Sequence, residues 1–277
     1  MEISIIMAAY NAEKYIKDAI NSVIQQSFTD FEFIIVDDGS TDSTRNIILS
    51  YTDKRIKLIE NKHNFIDSIN RGLSCAEGKY IAFMDNDDIM HVDRLKIEYA
   101  IMEEHPEITV CSSTMKLFGE GIDFTVTKKE TGIIENPLLK FIRGDYILNP
   151  TGMIRTDFIR LRNICYEDYS YTADYKFWVN IAKAGGIFYI ESQPLMYYRL
   201  SKDQESHILH KKHREASIKI MNEIVQFLII NNKTNFPEFK DVFLQFESLI
   251  EKGLMNNEEM LYFFQNIFIK NRDRLIV

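Results

Sequence analysis

The sequence predicts an α/β protein with a mostly parallel, doubly wound central sheet, helices on both of its faces and a helical C-terminal region. Three observations lead there. Strand-like and helix-like patterns alternate four times within about the first 105 residues. Polar clusters close three of the first four apolar runs. From about His207 onward only helical spacing recurs.

Residues 3–8 form a nearly continuous apolar run, as a central parallel strand requires when both its faces are covered. Ala12, Tyr15, Ile16, Ala19, Ile20, Val23 and Ile24 then follow the spacing of one buried helical stripe, with Asn11 as its expected N-cap. Phe33–Val36 reads as a second strand, ending in Asp37-Asp38-Gly39, and Ser40 as the cap of a helix through about Tyr51. Ile56–Ile59 is a third strand. A helix near 67–76 leads into the strand Tyr80–Met84, which ends in Asp85-Asn86-Asp87-Asp88 and precedes a helix near 93–104. Alternation of this kind gives parallel strands joined by helical crossovers. The middle is less regular: a strand over 108–113, a hairpin or edge segment over 115–127, helices near 136–141 and 175–184, and short strands at 187–191 and 195–198. Helices near 207–231, 238–251 and 257–270 close the chain.

The 277 residues suffice for one large α/β domain with a helical appendage. A net charge of −8 argues against nucleic acid as a partner. Cys75, Cys111 and Cys165 are odd in number and lack metal-ligand spacing, so they read as small buried hydrophobes in a reducing compartment. The first residues resemble no signal peptide, and no apolar run reaches the ~18–20 residues that cross a bilayer. The expectation is a cytoplasmic protein. A peripheral place at the inner face of a membrane is the alternative, through the basic stretch 207–214 and the aromatic helix of Tyr262, Phe263, Phe264 and Phe268.

Open parallel sheets bind ligands at the carboxyl ends of their strands. Tyr10-Asn11, Asp37-Asp38 and Asp85–Asp88 all fall there. Carboxylates so crowded stay ionised together only beside a cation or hydrogen-bond donors. Hard oxygen ligands suit Mg²⁺ or Mn²⁺. Taken singly, each cluster also reads as a turn, a cap or a solvated loop. No glycine-rich phosphate loop follows the first strand, which disfavours a dinucleotide-binding dehydrogenase or a P-loop NTPase.

These residues together resemble glycosyltransferase family 2, inverting enzymes of the GT-A fold. The resemblance runs over about residues 2–207 and rests on six segments in the family's order: 4–11, 34–42, 78–88, 149–151, 173–178 and Tyr198-Arg199. It implies a GT-A-like catalytic domain over 1–206, with a nucleotide-binding half (1–105) and an acceptor-binding half (106–206), and a helical region over 207–277. It implies a base pocket around Ala8 and Tyr10, with Asp38 accepting a hydrogen bond from the base. Asp85-Asn86-Asp87 matches the D-x-D motif, Asp87 as metal ligand and Asp85 near the ribose or metal. Asp174 matches the catalytic base, although Ala173 stands where the family often has an acidic residue; Glu167 and Asp168 are fallback candidates. Asp174 equally suits the N-cap of its helix. His207 is a further candidate ligand. Arg199 is a candidate for the diphosphate and Trp178 for the acceptor cleft, against a surface salt bridge and core packing respectively.

The reaction implied is transfer of a hexose or N-acetylhexosamine from a UDP-sugar to a hydroxyl of a glycan or lipid-linked glycan, in surface polysaccharide assembly. Two rivals stand beside it. A sugar nucleotidyltransferase would carry a basic, glycine-rich loop where Ala8–Ala12 stands. A sugar-nucleotide-binding protein without transfer activity would lack Asp85, Asp87 or Asp174.

Overall fold

The computed structural model describes residues 1–119, 121–126, 130–169, 171–200 and 210–276. The elements run β1 (Ile3–Ala9), α1 (Ile16–Ile24), β2 (Phe31–Asp37), α2 (Thr44–Leu49), β3 (Ile56–Glu60), α3 (Phe65–Cys75), β4 (Tyr80–Phe83), β5 (Ile89–Met90) and α4 (Arg94–Glu104). Then come β6 (Val110–Gly119), β7 (Ile122–Val126), β8 (Gly132–Ile134), α5 (Pro137–Phe141), β9 (Met153–Arg155), α6 (Thr156–Leu161), α7 (Ala173–Lys183) and β10 (Phe188–Arg199). The last three helices are α8 (His210–Asn231), α9 (Glu238–Glu251) and α10 (Asn257–Lys270). No helix among the described residues is long and apolar enough to cross a membrane.

Two compact units emerge. The first takes the described residues of 1–134, 147–168 and 186–200; the second takes those of 135–146, 169–185 and 210–276. This division cuts across the sequence boundary at 206, because α5 and α7 pack with the C-terminal helices.

In the first unit the sheet order is β3-β2-β1-β4-β9-β6-β10-β5, with β7 beside β6 and β8 beside β10. β3, β2, β1 and β4 are parallel neighbours. Their burial explains their composition. Ile3, Ile5 and Met7 of β1 pack with Ile16, Ala19, Ile20 and Val23 of α1 on one face. On the other face α3 lies so close that a Cβ on Gly72 would come within 2.5 Å of the Ile6 side chain. A helix on each face is what the unbroken apolar runs required. β9 was not foreseen. It is three residues long, behind Pro150 and Gly152, and it inserts antiparallel between β4 and β6. Cys111 is buried as expected, but Cys75 and Cys165 are exposed.

One buried cation ties this sheet together. Arg94 and Glu98, one helical turn apart on α4, are both fully buried and paired at 3.1 Å. The Arg94 guanidinium also donates to the Phe83 carbonyl at 3.0 Å and the Gly152 carbonyl at 3.2 Å. It thereby fixes the end of β4, immediately before the Asp85 loop. Burial pushes the Glu98 carboxyl up to about 7, with Arg94 pulling against it.

In the second unit α7 is buried nearly all round, through Tyr175, Phe177, Trp178, Val179 and Ile181. Lys176 within it pairs with Glu223 of α8, which also accepts from the Tyr169 hydroxyl. Burial works against the Glu223 charge, yet these donors hold its carboxyl below the ordinary value. Phe236, Phe239, Phe243, Phe264 and Phe268 form an aromatic core between α9 and α10. Of the aromatic residues of the last helix, Phe264 and Phe268 therefore pack into this core, whereas Tyr262 and Phe263 are exposed.

Arg94→Ala removes the partner of a buried charge and is expected to cost about 3–5 kcal/mol of stability by chemical denaturation. Glu98 holds its proton more tightly folded than unfolded, so it is largely neutral below its folded value of about 7 and ionised above it. The loss is therefore expected to be larger at about pH 8 than at about pH 6.

Candidate active site

The parallel register brings the polar clusters together. Ala9 of β1 lies opposite Asp37 of β2, and Ile6 opposite Phe83 of β4. Beyond the strands the pairing continues: Asp38 N donates to Ala9 O at 2.8 Å, and Met84 N to Ile6 O at 3.0 Å. The Asn86 side chain donates to Ala8 O at 3.0 Å. Ala8, Tyr10, Asp38 and the Asp85–Asp88 loop thus form one rim at the carboxyl end of the sheet.

Two loops wall this rim, and here Asn11 differs from expectation. It does not cap α1, which begins at Ile16 behind Tyr15. Asn11 is left-handed, with φ 45°, a conformation asparagine tolerates better than most residues. Its side chain accepts from Thr41 N at 2.8 Å, while its own N–H donates to Ser40 Oγ at 3.1 Å. Ala12 N donates to the buried Thr44 hydroxyl at 2.7 Å, and Glu13 N to Asp42 at 3.1 Å. Ser40 and Thr41 are thereby spent on joining the loops, and α2 starts only at Thr44.

Asp38 is buried, at 2% exposure. Its Oδ1 accepts from Asn64 N at 2.7 Å and from Ser68 Oγ at 2.6 Å; its Oδ2 meets His63 Nδ1 at 3.0 Å. Tyr10 is 42% exposed, and its ring stacks on His63 with centroids 3.8 Å apart. Asn64 also caps α3 by accepting from Asp67 N. The pattern Asn64-x-x-Asp67 was a readable helix start; nothing periodic marked His63.

The Asp85–Asp88 loop is braced from beneath. Asp88 is fully buried and accepts from Arg199 N at 2.9 Å. Its carboxyl is pushed well above the ordinary value, by burial first and then by the charges of Asp85 and Asp87. Arg199 donates to the Asp87 carbonyl at 2.7 Å and pairs with Asp18 at 3.2 Å. Its guanidinium also lies over Tyr15 and Phe118. Arg199 thus makes a salt bridge, though from a largely buried side chain, and its bond to the Asp87 carbonyl braces the loop. Asp85 and Asp87 are partly exposed on that loop. No group of three metal-ligating side chains occurs among the described residues. His207 lies outside them.

In the second unit Asp174 sits in the first turn of α7, and its Oδ1 accepts from Tyr175 N at 2.8 Å. Burial raises its carboxyl above the ordinary value, opposed by backbone donors and by His213 of α8. The residue capping α7 is Thr172, so Asp174 is not the N-cap. Trp178 is fully buried against Phe177, so it packs the core and lines no cleft. Glu167 and Asp168 are exposed.

The family model described as glycosyl transferase family 2 matches residues 4–167. A glycosyltransferase of Haemophilus influenzae, termed uncharacterized, is 34% identical over 82% of this chain and 74% of its own. The chain belongs to glycosyl transferase family 2. An Escherichia coli family relative, UDP-Glc:alpha-D-GlcNAc-diphosphoundecaprenol beta-1,3-glucosyltransferase WfgD, is 39% identical over 36% of this chain and 40% of its own. The crystal structure of Staphylococcus aureus TarS 1-349 superposes with a TM-score of 0.66 at 27% identity, over 83% of this chain and 66% of that one. The sheet is accordingly the GT-A-like one, and the family 2 match covers all three rim clusters but ends before Asp174.

Thr44→Val in this glycosyltransferase leaves the buried Ala12 N–H without its acceptor. A loss of about 1–3 kcal/mol is expected in denaturant unfolding.

Proposed function

We propose that this family 2 glycosyltransferase moves a hexose or N-acetylhexosamine from a UDP-sugar to a hydroxyl of a glycan or lipid-linked glycan, with inversion, in surface polysaccharide assembly. The observation that carries the reading is the convergence of Tyr10, Asp38 and the Asp85–Asp87 loop at the carboxyl ends of β1, β2 and β4. An aromatic face, a buried carboxylate acceptor and a carboxylate loop are three groups that a base, a ribose and a metal-bound diphosphate call for. The name of the Escherichia coli relative supports a UDP-sugar donor and a lipid-linked acceptor.

Mg²⁺ or Mn²⁺ fits the Asp85–Asp87 loop on the chemistry of its donors. Both residues offer hard oxygen ligands, and their charges add to burial, the larger cause, in raising the Asp88 carboxyl beneath them. One or two protein carboxylates suffice for such an ion, because diphosphate oxygens and water complete its shell. When bound, the ion supplies positive charge to the departing diphosphate. Asp87 would ligate it, and Asp85 would face the ribose or the ion. Arg199, through the Asp87 carbonyl, keeps the loop in place.

The acceptor hydroxyl must lose a proton as it attacks. Asp174 is the assigned general base. Its burial keeps the carboxyl more basic than a solvated one, which favours proton uptake. A base on the face opposite the diphosphate gives single displacement with inversion.

Asp174→Asn is expected to lower kcat for sugar transfer by about 10²–10⁴-fold and to leave UDP affinity unchanged. The acid limb of the wild-type kcat/KM profile is expected above the ordinary carboxylate value, because the base must be unprotonated and burial retains its proton. Transfer at wild-type rate by the asparagine variant would remove Asp174 from the reaction.

A further inference from the structure

We propose that His63 is a built-in mimic of the donor base, seated in the Tyr10–Asp38 pocket, so that nucleotide binding must displace it and His63 sets donor affinity. The inference rests on the proposed reading of Tyr10 and Asp38 as the base-binding pair. It adds a residue that neither the motifs nor the family match assigned to that pocket.

The imidazole makes both contacts that the base is expected to make. Its ring stacks on Tyr10 at 3.8 Å between centroids, with 23° between planes. That is direct contact of two flat rings, with no gap for a third between them. Its Nδ1 lies 3.0 Å from Asp38 Oδ2 and 3.3 Å from the Asp38 carbonyl. A carboxylate only accepts, so Nδ1 carries the proton and donates. The Asp38 oxygen used by His63 is also the one a base would use. Oδ1 is already taken by Asn64 N and Ser68 Oγ, both inside the protein. A planar ring with an N–H edge, held by an aromatic face and one carboxylate oxygen, describes His63 and a pyrimidine alike.

Three features let this imidazole move while its backbone stays. The backbone on either side is fixed, by Asn61 N to Asp37 O at 2.9 Å and by Asn64 N to Asp38. Gly39 sits beneath the segment at φ +77°, and a Cβ there would come within 3.0 Å of His63 N. A residue without a side chain is what allows that close approach. The His63 side chain itself is 59% exposed, so Tyr10 and Asp38 are its main anchors. His63 itself lines an open surface groove of about 760 Å³ with Asn61, Asn64, Asp67 and Arg71, so its ring has solvent-filled space beside it.

A ligand that needs the pocket open binds with an apparent affinity reduced by the fraction of molecules in which His63 has left it. Removing the imidazole removes that competition. Titration of UDP by calorimetry, with Mn²⁺ present, is the test, on wild type and His63→Ala. The expected result is tighter UDP binding by His63→Ala, by about tenfold, from a variant that circular dichroism shows to be folded. In the wild type, UDP is expected to shift the NMR resonances of the His63 ring. Equal or weaker UDP binding by His63→Ala, with wild type binding normally, would make His63 a wall of the pocket and overturn the inference alone. A wild type that binds no UDP would overturn the inference and the donor reading together.

Discussion

The crowding of carboxylates at one end of a parallel sheet is the constraint around which this structure is arranged. Asp37, Asp38, Asp85, Asp87 and Asp88 all stand at the ends of β2 and β4. Each has a different answer to the repulsion. Asp38 is surrounded by donors from Asn64, Ser68 and His63. Asp37 accepts from Ser40 N. Asp88, sealed beneath its neighbours, takes a proton more readily and accepts from Arg199 N. Asp85 and Asp87 remain on the partly exposed side, where a cation and a diphosphate would compensate them. Arg94 and Arg199 hold the strand end and the loop by their carbonyls, so two cations brace the site from within the protein.

Much of the first unit was legible because parallel strands covered on both faces are built on apolar runs, and β4 and most of β1 and β2 are such runs, broken by Ser4 in β1 and by Glu32 and Asp37 in β2. The terminal helices were legible for a related reason: α9 and α10 bury one face each, and their spacing records it. Asn11 was misread because a polar residue before an apolar stripe resembles a cap. The competing use, tying two loops across thirty residues of chain, leaves no local pattern. β9 is too short for any period, and its place between β4 and β6 depends on the whole sheet. At the site, the D-x-D loop and Asp38 were readable as strand-end polar groups. The partner of Asp38, His63, was not, because a single exposed histidine after a strand has no spacing to betray it.

The second unit shows the same division between pattern and chemistry. Trp178 and Tyr175 occupy helical positions that bury completely, and core packing uses them. Lys176 is buried too, which composition alone would not predict. Glu223 and the Tyr169 hydroxyl make that possible. Asp174 lies at the start of this helix, one residue beyond the first helical position. Burial tunes its carboxyl in the direction a general base needs.

The central claim is that the strand-end carboxylates form a metal-assisted nucleotide site. The most direct measurement is calorimetric titration of UDP and other nucleoside diphosphates into wild type and Asp87→Ala, once with Mn²⁺ and once with EDTA. The account predicts UDP binding that requires the metal and is lost in Asp87→Ala while the variant stays folded. UDP binding that is equally strong in EDTA, or undiminished in Asp87→Ala, would contradict it.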